Sequence, residues 1–345
     1  MSPAEPTAAV PRISVVIPCY NSAGTIRAAL DSVSAQTVGA ADVVVVDDGS
    51  MDDTVSRVRA YRFDPTRGQS PSLRVLSTGL NVGPAGARNR GVEESTGEWI
   101  AFLDSDDGWL PRRLEIQLSL ASAHRDIQMW CGRTVDMDSG SGAGGPRAGD
   151  GAGGAPPLEP RRAAAGGDDD RSAEPKWVRL GVEDFVDMNP VATSTVLVRR
   201  EVLRAVGGFD PRFRGPEDYD LWMRIAATYP VGRIQCPLSR YRHGASSLSM
   251  DDRKFLGEVL RVIDKAYAPG GALWGRPGRR RTQAYQHLCA AWMASERGAP
   301  CAALGLFGQS AWLWPWAFRN PQMREWGRVK LLTRILRNVV RRRRD

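Results

Sequence analysis

Residues 98–107 read EWIAFLDSDD, and this stretch joins a run of apolar residues to a cluster of acids. The run from Trp99 to Leu103 is typical of a strand that is buried in a sheet. Asp104, Asp106 and Asp107 would therefore lie at the carboxyl end of that strand. In open α/β sheets, this end of the strands forms the crevice in which ligands bind.

The clustered acids predict a site for a divalent cation. Carboxylates this close together repel one another, and hard oxygen ligands suit Mg²⁺ or Mn²⁺. Mg²⁺ is usually held by one or two carboxylates plus the phosphates of a substrate. The alternative is an acidic turn that caps a helix beginning near Pro111, and an isolated Asp-x-Asp pair favours that alternative.

On either side of this strand, strand-like and helix-like segments alternate. Short apolar runs predict strands at 12–18, 42–47 and 73–77. Helices are predicted over 25–36, 53–61 and 84–94, from apolar residues at helical spacing and from capping and turn-forming residues at the segment ends. Repeated strand–helix alternation is the signature of βαβ units, so we expect an α/β fold with a mostly parallel sheet flanked by helices.

Composition divides the chain into regions. We expect a flexible N-terminus at 1–11 and a globular α/β domain at 12–250. That domain contains a Gly/Ala/Pro-rich insertion at 139–174, which lacks the large apolar residues that a packed core requires. Beyond the insertion, the pattern predicts a strand over Thr193–Arg199 and a helix over Glu217–Tyr229.

The C-terminal part of the chain is predicted to be helical. Residues 251–318 form the expected helical region, in which 280–297 and 300–312 resemble an antiparallel hairpin. Residues 319–345 form a basic amphipathic tail with ten Lys/Arg and two acidic residues. This tail alone therefore accounts for the net charge of +8.

Several classes of protein are excluded by composition. The five cysteines are scattered and never form a C-x-x-C pair, and the three histidines form no zinc pattern, so we expect a reducing, cytoplasmic location. We expect neither a secretory signal nor a membrane-spanning segment. No stacking platform or recognition motif indicates a nucleic-acid partner.

A series of motifs occurs along the chain in a consistent order. They are Pro18-Cys19-Tyr20-Asn21, Asp47-Asp48-Gly49-Ser50, Asn81-Val82-Gly83 with Ala87-Arg88-Asn89, Asp104-Ser105-Asp106-Asp107, Gly207-Gly208-Phe209-Asp210, Pro216-Glu217-Asp218-Tyr219-Asp220-Leu221-Trp222 and Tyr241-Arg242-His243. From about Ile13 to Ser249, this series resembles glycosyltransferase family 2. The resemblance implies a GT-A fold with residues 12–250 as the catalytic domain, and inverting transfer from a nucleotide-diphosphate sugar.

The resemblance implies that donor contacts lie at the ends of the strands: Pro18, Tyr20, Asp47, Asp48, Arg88, Asp104 and Ser105. Tyr20 would stack on a base, and Asp47 or Asp48 would accept a hydrogen bond from a uracil-type ring. Arg88 would meet the diphosphate near a helix N-terminus. The alternatives are a core aromatic, ordinary turn chemistry for the aspartates, and a surface arginine paired with Glu93 or Glu94.

The resemblance also implies metal ligands and a catalytic base. Asp104 and Asp106 would hold Mg²⁺ or Mn²⁺, with Asp107 as a substitute or supporting partner. His243 would ligate the metal or contact phosphate, or it would be a structural loop histidine.

Two acids at the predicted helix start complete the expected site. Asp218 would be the base that deprotonates an acceptor hydroxyl, with Glu217 beside the acceptor. The alternative is that both are ordinary acids that stabilise the N-terminus of a helix.

The expected function is therefore metal-dependent, inverting transfer from a UDP-sugar to a glycan or lipid-linked acceptor in cell-surface glycan synthesis. The alternative is a catalytically silent scaffold that binds nucleotide sugar. A sugar-nucleotide pyrophosphorylase would need a Gly-rich basic loop after the first strand, which Cys19-Tyr20-Asn21-Ser22 does not provide. Tryptophans next to the tail predict that 319–345 docks on an anionic membrane surface, with the chain at the inner face of the cell membrane. The alternative is a helix packed on the catalytic domain.

Overall fold

The computed structural model describes residues 11–64, 66, 71–137, 175–242, 252–316, 318 and 327–342. The predicted flexible N-terminus, apart from its last residue, and the predicted insertion at 139–174 lie outside these ranges. His243, for which a metal or phosphate contact was expected, also lies outside the described residues.

The N-terminal half forms the parallel part of the sheet. Its strands lie in the order β3-β2-β1-β4 and every pair is parallel. These strands are β1 (Ile13–Cys19), β2 (Asp42–Asp47), β3 (Ser72–Ser77) and β4 (Trp99–Phe102). The helices between them are α1 (Ile26–Ser34), α2 (Thr54–Ala60) and α3 (Gly83–Glu94). The predicted strand–helix alternation is confirmed, although Thr25 makes no side-chain cap to α1.

The second half extends the same sheet with strands of mixed direction. It contains β5 (Gly108–Trp109), α4 (Arg113–Ala123), β6 (Met129–Asp136), β7 (Trp177–Leu180), β8 (Leu197–Arg199), α5 (Arg200–Ala205), α6 (Glu217–Thr228) and β9 (Val231–Tyr241). Beyond β4 the order is β8-β6-β9-β5, with β7 also beside β9. Only the β6–β9 pair in this half is parallel among the described strands. The predicted α/β class is confirmed, as a mixed sheet whose first four strands are parallel.

One predicted strand is shorter than expected. Thr193–Thr195 forms a turn of 3-10 helix, and only Leu197–Arg199 joins the sheet. The hydroxyl of Thr195 donates to the carbonyl of Ala192, a local side-chain bond that competes with regular strand pairing. The turn places three consecutive hydroxyl side chains close to the end of β4.

Two apolar cores lie on the two faces of the sheet. In β1, Val15 and Ile17 pack on one face and Val16 packs on the other, as strand alternation requires. The face containing Val16 also receives Trp222 of α6. Trp222, with its neighbours Leu221 and Ile225, is buried as predicted. The first turn of α6 is therefore held against the sheet by a large aromatic anchor.

The C-terminal region is helical, as predicted. It contains α7 (Asp252–Tyr267), α8 (Arg279–Glu296), α9 (Pro300–Leu313) and α10 (Gly327–Arg342). Helices α8 and α9 pack together as the predicted hairpin, and α10 adds Leu331 and Ile335 to their apolar core. Within the described ranges, no helix combines the length and apolar character needed to cross a membrane.

Close packing of α3 on the sheet depends on Gly91. A Cβ atom at this position would lie well inside van der Waals contact with the side chain of Val16. We expect Gly91→Ala to destabilise the protein by about 1–3 kcal/mol, as overpacked cores do. Gly257→Ala is the matched control, because that helical position has open space, and it should stabilise by up to about 1 kcal/mol. Urea unfolding that gave both variants the same sign would contradict this packing.

Candidate active site

Loops from the carboxyl ends of β1, β2 and β4 meet at one edge of the sheet. Pro18 is partly buried within β1, whereas Tyr20, just beyond it, is 46% exposed. Tyr20 is therefore not the core aromatic of the alternative interpretation. The loops after β1 and β4 are joined by the hydroxyls of Ser22 and Ser105, whose oxygen atoms are 2.7 Å apart. Tyr20 and Ser105, two of the predicted contacts to the sugar donor, thus lie on loops that a hydrogen bond joins.

The two acids at the end of β2 are buried and hold turns. Asp47 accepts a hydrogen bond from the N–H of Ser50 at 3.2 Å. Asp48 accepts from the N–H groups of Val82 and Gly83 at 2.9 and 2.8 Å, at the start of α3. These contacts are the ones expected if Asp47 and Asp48 stabilise turns, which is the alternative interpretation. Contact of Asp47 or Asp48 with a base stays a prediction.

Arg88 on α3 is buried between two carboxylates. Its Nη2 donates to Oδ1 of Asp104 and its Nη1 donates to Oε1 of Glu217, both at 2.7 Å. Burial opposes the charge of the guanidinium, but the two acids raise the pKa of Arg88 above its ordinary value. The alternative of a surface arginine paired with Glu93 or Glu94 is wrong. A direct contact between Arg88 and a diphosphate stays a prediction.

The acidic loop after β4 presents its carboxylates to different surroundings. Asp106 is exposed and Asp104 is partly exposed, whereas Asp107 is buried. Asp107 accepts a hydrogen bond from the N–H of Arg242 at 3.1 Å. Burial, followed by the charge of Asp104, raises the pKa of Asp107 well above its usual range. Asp107 is therefore placed to shape the loop, while Asp104 and Asp106 are the acids that reach solvent.

The two acids that begin α6 are both buried and face different partners. Glu217 binds Arg88 and also accepts from the N–H of Gly215 at 2.8 Å. Asp218 accepts hydrogen bonds at Oδ2 from Nδ2 of Asn189 at 3.1 Å and from Oγ1 of Thr193 at 3.0 Å. The backbone N–H of Tyr219 donates to the other oxygen, Oδ1, at 2.6 Å, so these contacts of Asp218 are with neutral donors.

The surroundings of Asp218 shift its titration. Burial is the largest cause, and the negative charge of Glu217 adds to it, so the pKa of Asp218 is raised to about 7. The charge of Arg88 and the hydrogen bond from Thr193 act in the opposite direction. A carboxylate with a pKa near neutral pH is suited to accept a proton in general base catalysis.

Three polar residues at this site were not found from the sequence. Asn189 and Thr193 contact Asp218, and Ser194 accepts a hydrogen bond at Oγ from the backbone N–H of Asp104 at 3.1 Å. They follow the Gly/Ala-rich insertion in no recognisable motif, so only the fold reveals their positions. In contrast, Asn89 and Phe209 belong to quoted motifs, and the Asn89 side chain binds both backbone groups of Phe209.

The chemistry of the acidic loop fits a hard divalent cation. Asp104 has one oxygen engaged by Arg88, and Asp106 is exposed, so two carboxylates one residue apart face the end of the sheet. In the part of the chain that the structure describes, no cluster of three or more His, Cys, Asp or Glu is arranged to hold a metal. Two carboxylates agree with the way Mg²⁺ binds, because substrate phosphates supply further ligands.

Sequence comparisons agree with this architecture. Residues 14–158 match the family model for glycosyl transferase family 2, and residues 172–266 match the model for glycosyltransferase like family 2. The chain is 32% identical over 234 residues to the amylovoran biosynthesis glycosyltransferase AmsB of Erwinia amylovora, covering 66% of this chain and 68% of AmsB. It is 28% identical over 253 residues to the UDP-Glc:alpha-D-GlcNAc-diphosphoundecaprenol beta-1,3-glucosyltransferase WfgD of Escherichia coli, covering 73% of this chain and 85% of WfgD.

Solved structures share the fold. Staphylococcus aureus TarS 1–349 in complex with UDP-GlcNAc superposes with a TM-score of 0.57 at 16% identity, covering 95% of this chain and 89% of that one. The mannosyltransferase PcManGT from Pyrobaculum calidifontis, in complex with GDP-Man and Mn²⁺, gives 0.54 at 19% identity, covering 96% and 88%. At these identities the likeness concerns the fold alone.

The fold and the site together define a glycosyltransferase of the GT-A type. Within that class, the matched family models and the identity to AmsB show that the chain belongs to glycosyltransferase family 2. The resemblance drawn from the motifs is therefore confirmed.

The buried Arg88 bridge should be costly to remove. Arg88→Met leaves Asp104 and Glu217 without their cation, and breaking a buried ion pair in this way typically costs about 3–5 kcal/mol. Arg90→Met on the same helix is the control, because Arg90 pairs with Glu93 and Glu94 at the surface. Such surface pairs contribute about 1 kcal/mol or less. We expect urea unfolding to separate the two variants.

If Arg88→Met does not fold, Arg88→Lys replaces it in this test. The lysine keeps the charge but cannot span both carboxylates, so the stability of this variant should lie between those of Arg88→Met and Arg90→Met. Equal unfolding midpoints for the Arg88 and Arg90 variants would contradict the bridge.

Proposed function

We propose that this glycosyltransferase is inverting and metal-dependent, and that it moves a sugar from a UDP-sugar to the hydroxyl of a glycan or lipid-linked acceptor. One observation carries the mechanism: Asp218 is a buried carboxylate with a pKa of about 7, and its neighbour Glu217 is joined through Arg88 to the acidic loop. The proposed base and the acidic loop that would bind the sugar donor are thus connected through the Arg88 bridge.

Asp218 accepts the proton of the acceptor hydroxyl as that oxygen attacks the anomeric carbon. Asn189 and Thr193 hold one carboxylate oxygen, and the N–H of Tyr219 donates to the other. Glu217 neighbours the acceptor and, through Arg88, keeps the start of α6 at a fixed position relative to Asp104. For inversion, the base must lie on the face of the sugar opposite the departing diphosphate.

Asp104 and Asp106 are the residues that would hold Mg²⁺ or Mn²⁺, and such a cation neutralises negative charge on the leaving nucleoside diphosphate. Ser105 and Arg88 flank this position, and Arg88 adds a positive charge behind Asp104. Tyr20 is exposed at the end of β1, where its ring is available to stack on the base of the donor. These assignments are proposals for the donor site.

The acceptor proposal draws on the relatives. WfgD is named for transfer from UDP-Glc to a GlcNAc-diphosphoundecaprenol, and AmsB is named for amylovoran biosynthesis. We propose that this chain likewise builds a cell-surface glycan on a lipid-linked acceptor at the inner face of the cell membrane. The basic segment 319–345 supplies charge for an anionic membrane surface.

Two carboxylate variants separate donor binding from chemistry. Asp106→Asn should abolish Mn²⁺-dependent binding of UDP in calorimetry, because a neutral amide is a poor ligand for a hard cation. Asp218→Asn should keep that binding but lower turnover by about 10²–10⁴-fold, the usual contribution of a general base. UDP release from UDP-glucose and UDP-GlcNAc, with a GlcNAc-diphospho-alkyl acceptor, measures turnover.

Stability controls for Asp218→Asn have a definite sign. A carboxyl whose pKa is raised on folding favours the folded state below its unfolded pKa, and this contribution is lost as pH rises toward 7. Asp218→Asn should therefore be more stable than the unmodified chain at pH 8, with the gap closing toward pH 4.

Metal-dependent UDP binding by the unmodified chain without turnover in any tested condition would favour the silent scaffold over the enzyme.

The pH dependence of turnover tests the environment of Asp218. The ionised carboxylate is the active form, so turnover should rise with pH to a plateau, with a midpoint at about 7. Thr193→Val removes a donor that stabilises the ionised form and should move this midpoint to higher pH. Thr193→Ser keeps the hydroxyl and should restore it. A midpoint that is identical in the Val and Ser variants would count against Asp218 as the titrating group.

A further inference from the structure

Helix α9 lies at the surface and exposes a face without charge. From Gly298 to Phe318 there is no Asp, Glu, Lys, Arg or His. Only Pro300, Ala303 and Ser310 of the helix are buried. The exposed residues recur at helical spacing on one outer face: Cys301, Leu304, Gly305, Gly308, Gln309 and Trp312. An exposed face that carries no charge and presents the large apolar side chains of Leu304 and Trp312 is a candidate interaction surface.

Tryptophans stand at the C-terminal end of this face. Trp312 is 84% exposed, and Trp316, just beyond the helix, is 70% exposed. A tryptophan ring combines a large apolar area with one polar N–H, which suits it to the boundary between water and lipid. The helix has 14 residues, so at 1.5 Å per residue it is about 21 Å long and too short to cross a bilayer. A helix of this length can lie along the interface.

Helix α10 supplies positive charge beside this face. Arg328 near its start donates to the carbonyl oxygens of Ser310 and Trp316, at 3.3 and 3.0 Å, and so ties α10 to the end of α9. Leu331 and Ile335 of α10 are buried against the α8–α9 hairpin. The helix thus packs on the helical region, whereas the alternative interpretation named the catalytic domain as its packing partner. Its outer side exposes Val329 and Leu336 together with Lys330 and Arg337.

The charge of this region selects the partner. The segment 319–345 has ten Lys/Arg and two acidic residues. A second copy of the chain would bring two such segments together, which like charges oppose. An anionic lipid surface instead offers negative headgroups to α10 and an apolar layer to the outer face of α9.

We propose that the outer face of α9, with Trp312 and Trp316, inserts into the interface of an anionic phospholipid bilayer while the exposed basic residues of α10, Lys330 and Arg337, bind the lipid headgroups. The inference deepens the proposed function, on which it rests for the lipid-linked acceptor. It assigns apolar insertion to α9, a helix outside the basic tail, and makes the membrane contact a two-part surface.

Vesicle flotation tests the proposal on the full chain. The protein should float with vesicles of phosphatidylcholine and phosphatidylglycerol, and much less with phosphatidylcholine alone. Replacing Trp312 and Trp316 by serine should lower partitioning by at least about tenfold, since burial of one large apolar side chain is worth that much. Trp274→Ser is the control, because Trp274 is 58% exposed and belongs to the segment before α8 rather than to α9. It should float like the unmodified chain.

Two further readouts separate the parts of the surface. Brominated lipids should quench tryptophan fluorescence in the unmodified chain and less in the double variant. Arg337→Glu should weaken flotation at low salt more than at high salt, whereas the tryptophan substitutions should weaken it at both. Equal flotation of the double variant and the Trp274→Ser control would overturn the proposal. The proposal would also be overturned if the unmodified chain and the Trp274→Ser variant formed a concentration-dependent dimer and the double variant did not.

The same variants keep this inference separate from the proposed function. Trp312 and Trp316 do not contribute to the donor site, so Mn²⁺-dependent UDP binding should be unchanged in the double variant. Lost flotation with retained UDP binding supports membrane docking. Retained flotation with absent UDP binding in the unmodified chain would overturn the catalytic proposal and leave the docking surface standing.

Discussion

The active-site region depends on one buried cation, the guanidinium of Arg88. It joins the end of β4, through Asp104, to the start of α6, through Glu217. The strand and the helix are far apart in the sequence, and this pair of charge-assisted hydrogen bonds fixes their separation. Because the N–H donors of a guanidinium form a rigid, planar fork, its two bonds to different carboxylates hold orientation as well as distance. The loop that presents Asp106 and the helix that presents Asp218 are therefore parts of one framework.

This framework also bears on the raised pKa of Asp218 at the start of α6. Glu217 is paired with Arg88, so its charge stays buried next to Asp218. Among the described residues, the side chain of Asp218 accepts from the neutral donors Asn189 and Thr193 and from the N–H of Tyr219. Burial raises the pKa of Glu217 while the charge of Arg88 opposes that shift, and burial beside Glu217 raises the pKa of Asp218 to about 7.

The 3-10 turn at Thr193–Thr195 links the same parts from the other side. Thr193 contacts Asp218, Ser194 accepts from the N–H of Asp104, and Thr195 accepts from the N–H of Gly132 in β6. Three adjacent hydroxyls therefore connect the acid on α6, the acidic loop and the sheet. Substitutions in this turn should affect geometry at more than one of these points.

Local patterns were sufficient for the first four strands, for the helices between them and for the position of the acids. The first four strands follow from short apolar runs, and Asp104 falls at a strand end because the apolar run stops there. The partner of Arg88 could not be predicted, since Glu217 lies 129 residues away and no spacing rule connects them. The contacts of Asn189 and Thr193, and the antiparallel direction of β8, likewise depend on tertiary packing. Which acids serve the reaction is a prediction that only the resemblance to the family motifs supplies, because periodicity does not distinguish among them.

The most direct test of this account is a titration of the Asp218 carboxyl by ¹³C NMR in protein labelled at aspartate, with the resonance assigned by its loss in Asp218→Asn. The account predicts a midpoint at about 7, because the carboxyl is buried beside the charge of Glu217. A midpoint near 4, the ordinary value for an exposed aspartate, would contradict the claim that burial beside Glu217 prepares Asp218 as a base.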